Sequence, residues 1–346
     1  MRERVASQVT SPRLDVQPLD LRLRHRFTIA RSSDDVSHTL ILRLFARGIE
    51  ALGEVTPSKR YEEDVELIRR QLAAVELAGA DLLDVPATLA RLPSEQRGAM
   101  CALDLALHDF AGKLLGMPAY ELFGLQPDDA KPTSFTIGIA DLDETVAKVR
   151  EAVHMPILKV KLGAGREFET LEAIRAIYGG TIRVDANEGW TPEEAVQCLR
   201  ELARFELEFC EQPVPAGHPE QLRYVRERSP VPIFTDEDSI TADDVPRLAG
   251  CVDGVNVKLV KCGGMREAVR MIRAAREHGM KVMIGCMIET SVLSTAAAHL
   301  TPLADYADID GPLLILDDPF AGVTYDGARL RLPTAPGLGV RVRAAA

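Results

Sequence analysis

Charged residues close a series of short apolar runs in the second half of the chain, and they recur at a nearly constant interval. Lys161, Asp185, Glu211, Asp236 and Lys261 follow one another at separations of 24, 26, 25 and 25 residues. Each ends a run of strand-like composition, and a stretch of helical pattern separates one run from the next. Parallel strands joined by helices end at one edge of a sheet, so this interval predicts that the five side chains lie at one level.

Eight such apolar runs follow residue 128. They are SFTIGI, ILKVKL, TIRVDAN, LEFCEQP, PIFTDED, GVNVKLV, KVMIGCMIE and YADIDGPL, with amphipathic stretches such as EAVRMIRAAREHG in the gaps. Eight strands that alternate with helices favour an α/β fold of the (β/α) barrel type, in which the C-terminal ends of the strands form the mouth that carries the chemistry. The charged residues are therefore predicted to converge at this mouth.

The first part of the chain has a different pattern. Strand-like runs lie within residues 16–56, and helical periodicity follows at about 61–78 and 95–115, which favours a separate α+β unit. Within the second helix the apolar spacing predicts that His108 and Asp109 are surface or capping groups rather than ligands. The segment GLQPDDAKP is typical of a linker. The predicted division is 1–127, 128–320 and a C-terminal segment, 321–346, that returns to the first unit.

Charge and cysteine usage limit the classes of partner. The chain has 41 lysine and arginine residues against 52 aspartate and glutamate residues, which argues against nucleic acid or an anionic membrane as the main partner and favours a small ligand. No apolar run reaches the roughly 18 residues that span a bilayer, and the N-terminus lacks the apolar core of a signal peptide. Six cysteines without a CxxC pair are typical of structural thiols, and Cys262 and Cys286 are the two candidates for lining a pocket. A cytoplasmic protein is expected.

The segment ILKVKLGAG places Lys159 and Lys161 two residues apart in a predicted buried strand. Side chains two residues apart share a face, so both ammonium groups enter one space, which is unfavourable unless negative groups face them. The predicted partners across the mouth are Asp185, Glu211 and Asp236. Three converging carboxylates repel one another, and a hard divalent cation relieves the repulsion. Mg²⁺ is therefore the expected cofactor, and a lattice of salt bridges that closes the barrel is the alternative.

The segment GVNVKLVKCGG supplies a second pair, Lys258 and Lys261. They are three residues apart and do not share a face along a regular strand. Lys261, at the predicted strand end before the glycines, is favoured for the mouth, across the barrel from Lys161. Two amines on either side of a metal-bound carboxylate predict proton removal from one face of a carbon and delivery to the other. The alternative is that both lysines are only counterions of the carboxylates.

The motifs KVK, DAN, EQP, TDED and NVKLVKCGG, in this order and spacing, resemble those of the enolase superfamily, in the subgroup of muconate lactonizing enzymes. The segment IGCMIETSVLSTAAAHL followed by DIDGPL is similar to the dipeptide epimerases of that subgroup. The resemblance implies an N-terminal α+β capping domain, a (β/α)7β barrel and epimerisation of a dipeptide through a metal-stabilised enolate. It implies the acid/base pair Lys161 and Lys261, and the Mg²⁺ ligands Asp185, Glu211 and Asp236. Asp238 departs from the common DES motif; the expected metal ligands are retained, and a difference is expected only in the hydrogen bonds around them.

Substrate contacts are expected on both sides of the site. The resemblance implies that Lys159 neutralises the substrate carboxylate. Asp308 and Asp310, two residues apart at the end of the eighth run, are expected to bind a free α-ammonium group, and the alternative is that they cap the following turn. The segment LRLRHRFTIARSS resembles the mobile loop that closes over the substrate side chain, where an arginine would favour an acidic side chain. The further substrate-binding residues expected are Arg31, Thr136 and Glu289.

Other functions remain open from the sequence. Cycloisomerisation, o-succinylbenzoate synthesis and N-acylamino acid racemisation share the enolate chemistry and differ in substrate. A ligand-binding relative without catalysis is disfavoured because both lysines are present. The expected partner is a small dipeptide rather than nucleic acid or a membrane, and a homo-oligomer is left open.

Overall fold

The structure is a computed structural model, and it describes residues 11–93 and 96–344. Its strands are β1 (Arg13–Ile29), β2 (Ser32–Ala46), β3 (Ile49–Val55), β4 (Phe135–Ile137), β5 (Ile157–Lys161), β6 (Thr181–Asp185), β7 (Leu207–Glu211), β8 (Ile233–Thr235), β9 (Gly254–Lys258), β10 (Lys281–Gly285), β11 (Tyr306–Asp308), β12 (Phe320–Ala321), β13 (Thr324–Asp326), β14 (Arg329–Arg331) and β15 (Arg341–Val342). Its helices are α1 (Val65–Ala73), α2 (Val85–Leu89), α3 (Arg97–Leu115), α4 (Ala119–Leu122), α5 (Leu142–Glu151), α6 (Glu167–Arg175), α7 (Pro192–Leu202), α8 (Pro219–Arg226), α9 (Val245–Leu248), α10 (Leu259–Cys262), α11 (Met265–Glu277), α12 (Ser291–Leu300) and α13 (Gly311–Leu314).

Strands β4 to β11 form one parallel sheet of eight strands in sequence order. The two end strands meet through a parallel bridge between Thr133 and Ala307, which brings the sheet close to a closed barrel. Each of the eight apolar runs contains one of these strands, so the predicted barrel is confirmed. Amphipathic helices cover its outside, as α7 shows: it begins at a Thr191 capping box with Pro192 at its first turn and buries Leu199 and Leu202.

The capping domain contains the antiparallel sheet β1–β2–β3 and the long helix α3. The helix packs closely on β3, because a side chain at Gly53 would overlap the carbonyl of Ala102. Nearly all of α3 is buried, since it is covered by the sheet on one side and by α10 and α11 of the barrel on another. The predicted α+β capping domain is confirmed, and its helix is the main layer between the two sheets.

The expectation for His108 and Asp109 is wrong about exposure. Both side chains are buried, and Asp109 accepts hydrogen bonds from the backbone N–H of Leu52 and of Leu338 at 2.7 Å each, with Lys113 Nζ also at 2.7 Å. The physical reason is that α3 is covered on several sides, so its polar positions also face protein. Asp109 does cap backbone groups, but it does so between the capping domain and the C-terminal segment.

The lower half of the barrel is filled by an aromatic floor, made of Arg183, Phe209, Phe234, Met283 and Tyr306. The Phe209 and Phe234 rings stack at 4.3 Å between centroids. The Arg183 guanidinium carbon lies 5.2 Å from the Phe209 ring centroid and 5.1 Å from the Tyr306 ring centroid. The guanidinium donates to Glu208 Oε2 at 2.7 Å and to the Ala307 carbonyl at 2.7 Å. Because side chains alternate along a strand, this floor lies directly beneath the residues two positions later.

All six cysteines are free thiols, and the Cys286 thiol lies 3.6 Å from the predicted site residue Asp310. Within the described part of the chain, no helix combines the length and the apolar character needed to cross a bilayer.

Candidate active site

The strand register brings the charged residues to one level, as the spacing predicted. Lys161 pairs with Asp185, and Asp185 pairs with Glu211, across three adjacent strands. Asp236 directly follows the last residue of β8. All four side chains are buried at the C-terminal end of the barrel, directly above the aromatic floor.

The contacts of Lys159 explain how two lysines can lie side by side in the buried mouth of the barrel. Its ammonium nitrogen lies 2.6 Å from Glu211 Oε2, 2.8 Å from Asp308 Oδ2 and 3.2 Å from Asp185 Oδ2. Lys161 Nζ lies 2.7 Å from Asp185 Oδ2, so this carboxylate faces both cations. The lysines and carboxylates are therefore mutual counterions, and their attraction offsets the desolvation cost of burying them.

The same contacts shift the pKa values of these groups. Burial alone would raise the pKa of Asp185, but Lys161 and Lys159 outweigh it and lower the pKa to about 2. Burial and the neighbouring Asp185 raise the pKa of Glu211. Burial would lower the pKa of Lys159, yet Asp308 and the other two carboxylates raise it well above its usual value.

The sixth strand ends differently from the prediction. β9 ends at Lys258, and Lys261 lies one helical turn later in α10, because the chain changes from strand to helix at Leu259. Lys258 Nζ lies 2.8 Å from Asp236 Oδ2. Lys261 has no exposed side-chain surface; it contacts Asp236 Oδ1 and donates to the carbonyls of Asp236 at 2.6 Å, Ser239 at 3.1 Å and Asn256 at 3.1 Å. The prediction that Lys261 ends the strand is wrong; Lys258 does.

The donor set at the mouth fits Mg²⁺. Asp185, Glu211 and Asp236 are fully or almost fully buried and supply only hard carboxylate oxygens from three consecutive strand ends. No donor is directed at Glu211 Oε2 with hydrogen-bond geometry, although Lys159 lies near it. Over residues 11–93 and 96–344, no three acidic, histidine or cysteine side chains converge tightly enough to hold an ion as they stand, since ammonium groups lie between the carboxylates. Asp185, Glu211 and Asp236 would hold the ion once these ammonium groups move aside.

Two aspartates lie on the opposite side of the mouth, where the eighth strand ends. Asp308 accepts from Ser134 Oγ at 2.6 Å in addition to Lys159. Asp310 accepts from the backbone N–H of Thr136 at 2.6 Å, and Cys286 Sγ lies 3.6 Å from it. Burial and the neighbouring charge of Asp308 raise the pKa of Asp310 to about 6.

Two other predicted substrate contacts, Arg31 and Glu289, lie in different places: one reaches over the mouth and the other is buried in a loop. Arg31 of the capping domain reaches over the mouth, 2.7 Å from Glu237 Oε1, and donates to the Asn187 carbonyl at 3.2 Å. Burial and the charge of Asp236 raise the pKa of Glu237 to about 8. Glu289 is buried in its own loop, where it accepts from the Met287 N–H and from Ser294 Oγ.

Comparison with known proteins agrees with this arrangement. Residues 15–124 match the N-terminal domain of the mandelate racemase / muconate lactonizing enzyme family, and residues 141–346 match the enolase C-terminal domain-like family. The chain belongs to the enolase superfamily. It is 42% identical over 340 residues to the L-Ala-D/L-amino acid epimerase of Pedosphaera parvula, an alignment that covers 94% of this chain and 98% of that protein.

Solved members of the superfamily have the same fold. The substrate-liganded L-Ala-D/L-Glu epimerase from Bacillus subtilis aligns with a TM-score of 0.91 and 28% identity, over 96% of this chain and 99% of that one. The dipeptide epimerase from Enterococcus faecalis, complexed with Mg and L-Leu-L-Tyr, aligns with a TM-score of 0.90 and 30% identity, over 96% and 99%. The family resemblance seen in the motifs is thus confirmed.

Two polar residues of this enolase-superfamily site were not predicted from the sequence. Asn256 donates from Nδ2 to Glu211 Oε1 at 2.6 Å, and it precedes Lys258 by two residues, so strand alternation was the signal that places it in the mouth. Gln212 accepts from the Asp236 N–H at 3.0 Å and donates to Asp238 Oδ2 at 2.9 Å. The unusual Asp238 therefore holds the Gln212 amide that orients Asp236.

Proposed function

We propose that this protein epimerises a dipeptide at the α-carbon next to its carboxylate, with Mg²⁺ as cofactor, and that Lys161 and Lys258 are the acid/base pair. The observation that carries the proposal is one lysine on each side of the mouth, on the second and the sixth strand of an eight-stranded barrel, above three buried carboxylates. The activity of the superfamily members named above supports the same reaction class.

The two lysines act on opposite faces of the substrate α-carbon. One lysine, as the neutral amine, removes the α-proton, and the other, as the ammonium ion, delivers a proton to the opposite face, which inverts the carbon. Working in reverse, the pair starts from the opposite protonation states, so both epimers are substrates. When bound, Mg²⁺ supplies positive charge that stabilises the negative charge developing on the substrate carboxylate.

The other residues bind the two charged ends of the substrate. Lys159, which already contacts three carboxylates, would offer its ammonium group to the substrate carboxylate. Asp308 and Asp310 would accept hydrogen bonds from the free α-ammonium group at the other end. A dipeptide carries both charges, whereas an N-acylamino acid lacks the positive one, and this difference favours a dipeptide over the N-acylamino acid racemase alternative.

Deuterium exchange at the α-carbon tests the assignment of the bases. In D₂O with Mg²⁺, Lys161→Ala and Lys258→Ala are each expected to lose epimerisation, because each removes one of the two proton carriers. Each variant is expected to retain exchange with one epimer only, and with opposite epimers. Equal residual exchange of both epimers in both variants contradicts the two-base mechanism, and no exchange of any dipeptide by the wild type contradicts the function.

The cellular setting is part of the proposal. The six free thiols support a cytoplasmic location, since cysteines of secreted proteins are usually paired. The partner is a dipeptide; the side-chain preference and a homo-oligomeric state stay open.

A further inference from the structure

Glu54 of the capping domain is a fully buried carboxylate that accepts hydrogen bonds from a barrel helix. It lies on β3 and accepts from the N–H of Thr290 at 2.9 Å, from Thr290 Oγ1 at 2.6 Å and from the N–H of Leu293 at 2.9 Å. These groups form the first turn of α12. No lysine or arginine of the described residues forms an ion pair with it, so its oxygens are satisfied by donors at the start of the barrel helix together with Thr39 Oγ1.

A second capping-domain contact holds the same part of the barrel. Ser37 Oγ donates to the Ile288 carbonyl at 2.8 Å. Glu54 and Ser37 thus hold the 288–290 part of the 286–290 loop, which connects β10 to α12. The loop is attached to the capping domain at two points that lie 17 residues apart in the sequence.

The 286–290 loop packs directly on the proposed ammonium site. Cys286 Sγ lies 3.6 Å from Asp310 Oδ1 and accepts from the N–H of Gly311 at 3.3 Å. The contact is close, because a Cβ atom at Gly311 would lie 2.8 Å from the Met287 carbonyl oxygen. A shift of this loop would therefore move Asp310 as well.

We propose that Glu54, together with Ser37, is a positioning residue that fixes the 286–290 loop against Asp310 and thereby sets the preference of the enzyme for substrates with a free α-ammonium group. This inference rests on the proposed function. Glu54 and Ser37 act from outside the site, since their contacts reach the loop and the start of α12 and none reaches the mouth lysines or carboxylates.

The test compares Glu54→Gln with Asp109→Asn. Gln keeps the volume of Glu but turns an amide NH₂ toward donors, so the first turn of α12 loses part of its cap. Asp109 offers a matched control, because it is an equally buried capping-domain carboxylate that accepts from Leu52, Leu338 and Lys113 and has no contact with the loop. Both variants are expected to lower the melting temperature.

Kinetics with a dipeptide and with its N-acetyl derivative separate positioning from a purely structural role. Glu54→Gln is expected to raise KM for the free dipeptide about tenfold, with kcat within about twofold, and to reduce the preference for the free amine by about the same factor of ten. Asp109→Asn is expected to keep the wild-type preference. If Glu54→Gln loses thermal stability but keeps the preference, the inference is overturned.

Ser37→Ala keeps the test decisive if Glu54→Gln does not fold. It removes one hydrogen bond from a half-buried site and is expected to lower the free-amine preference about threefold, in line with a single neutral hydrogen bond. An unchanged preference in Ser37→Ala would then overturn the inference. A wild type that shows no turnover or exchange of dipeptides overturns the proposed function and this inference together, whereas an active wild type with unaffected variants overturns this inference alone.

Discussion

Lys159 shows how a buried cation organises a site before any ligand binds. Its ammonium group lies within 3.2 Å of carboxylates from three different strands, two of which are proposed metal ligands and one of which is a proposed substrate anchor. Each contact fixes a rotamer that would otherwise be free. The site is thus held in shape by its own charges, and a ligand replaces these contacts rather than creating order.

Lys261 is expected to support the fold rather than the chemistry. Lys261→Met removes a buried cation from Asp236 and three carbonyl groups, so we expect a loss of about 3 kcal/mol in the free energy of unfolding. Thermal and denaturant unfolding measure this loss. The folded fraction should still exchange the α-proton of both epimers in D₂O. Normal stability together with exchange restricted to one epimer would instead identify Lys261 as a base and remove Lys258 from that role.

Asp310 predicts an acid limb in the pH profile. Its pKa is about 6, raised by burial and by Asp308, and only the ionised form binds an ammonium group well. We therefore expect kcat/KM to fall as the pH drops below about 6, and Asp310→Asn to lack this limb. The free energy of unfolding depends on pH in the opposite direction to kcat/KM. Because the pKa of Asp310 is raised in the folded protein, its contribution to stability is present below about pH 4 and is lost as the pH rises through about 6. A flat profile in the wild type would refute this role.

At the scale of elements, carboxylates of the capping domain cap the first turns of two barrel helices. Asp104 of α3 accepts from the N–H of Met265 at 2.6 Å, at the start of α11, as Glu54 does at the start of α12. Both helices carry loops of the mouth at their N-termini. The capping domain is therefore attached to the barrel at the starts of two helices, in addition to covering it.

Gly264, at the start of α11, is expected to tolerate no side chain. Its φ of +115° is unfavourable for other residues, and a Cβ atom there would overlap the Asp104 carboxylate. Gly264→Ala should lower the free energy of unfolding by about 3 kcal/mol, of which about 1 kcal/mol comes from φ alone. Gly217→Ala is the matched control, because Gly217 has φ of +98° with nothing within 4 Å. Equal losses in the two variants would exclude the overlap as a cause.

The regular elements were predictable because their signals are local. Eight apolar runs, each ended by charge or turn residues, were enough to predict eight strands and their common edge. Which of the two lysines ends the strand, Lys258 or Lys261, was not predictable, since it depends on β9 changing into α10 at Leu259, within a continuous apolar pattern. The burial of His108 was missed for a related reason, because the layers that cover α3 come from distant parts of the chain.

At the scale of the whole molecule, the C-terminal segment connects the two domains. The N–H of Thr133 donates to the Ala328 carbonyl at 2.8 Å, which ties the start of the barrel to the β13–β14 hairpin. Asp109 binds Leu338 further along. The capping domain and the barrel are thus linked covalently through residues 116–132 and a second time through these contacts, so we expect them to unfold together.

Mg²⁺ should raise the stability of this whole unit. The proposed ligands come together only in the folded barrel, so the ion binds the folded state and stabilises it by about 2.7 kcal/mol at a concentration of 100 times its Kd. Thermal melting with added MgCl₂, and again after excess EDTA, measures the effect. Glu211→Gln should fold and lose most of this shift, whereas Glu227→Gln, which removes an exposed charge, should keep it. A shift of equal size in Glu211→Gln would refute the assigned ligand set.

The aromatic floor makes the mouth of the barrel the expected route to the site. Arg183 and its neighbouring rings pack beneath the mouth residues, so we expect substrate to enter and product to leave through the mouth. The two epimers carry the same charged groups, so each product molecule competes with substrate for the same site. We expect progress curves that slow well before substrate is exhausted, because accumulating product is converted back.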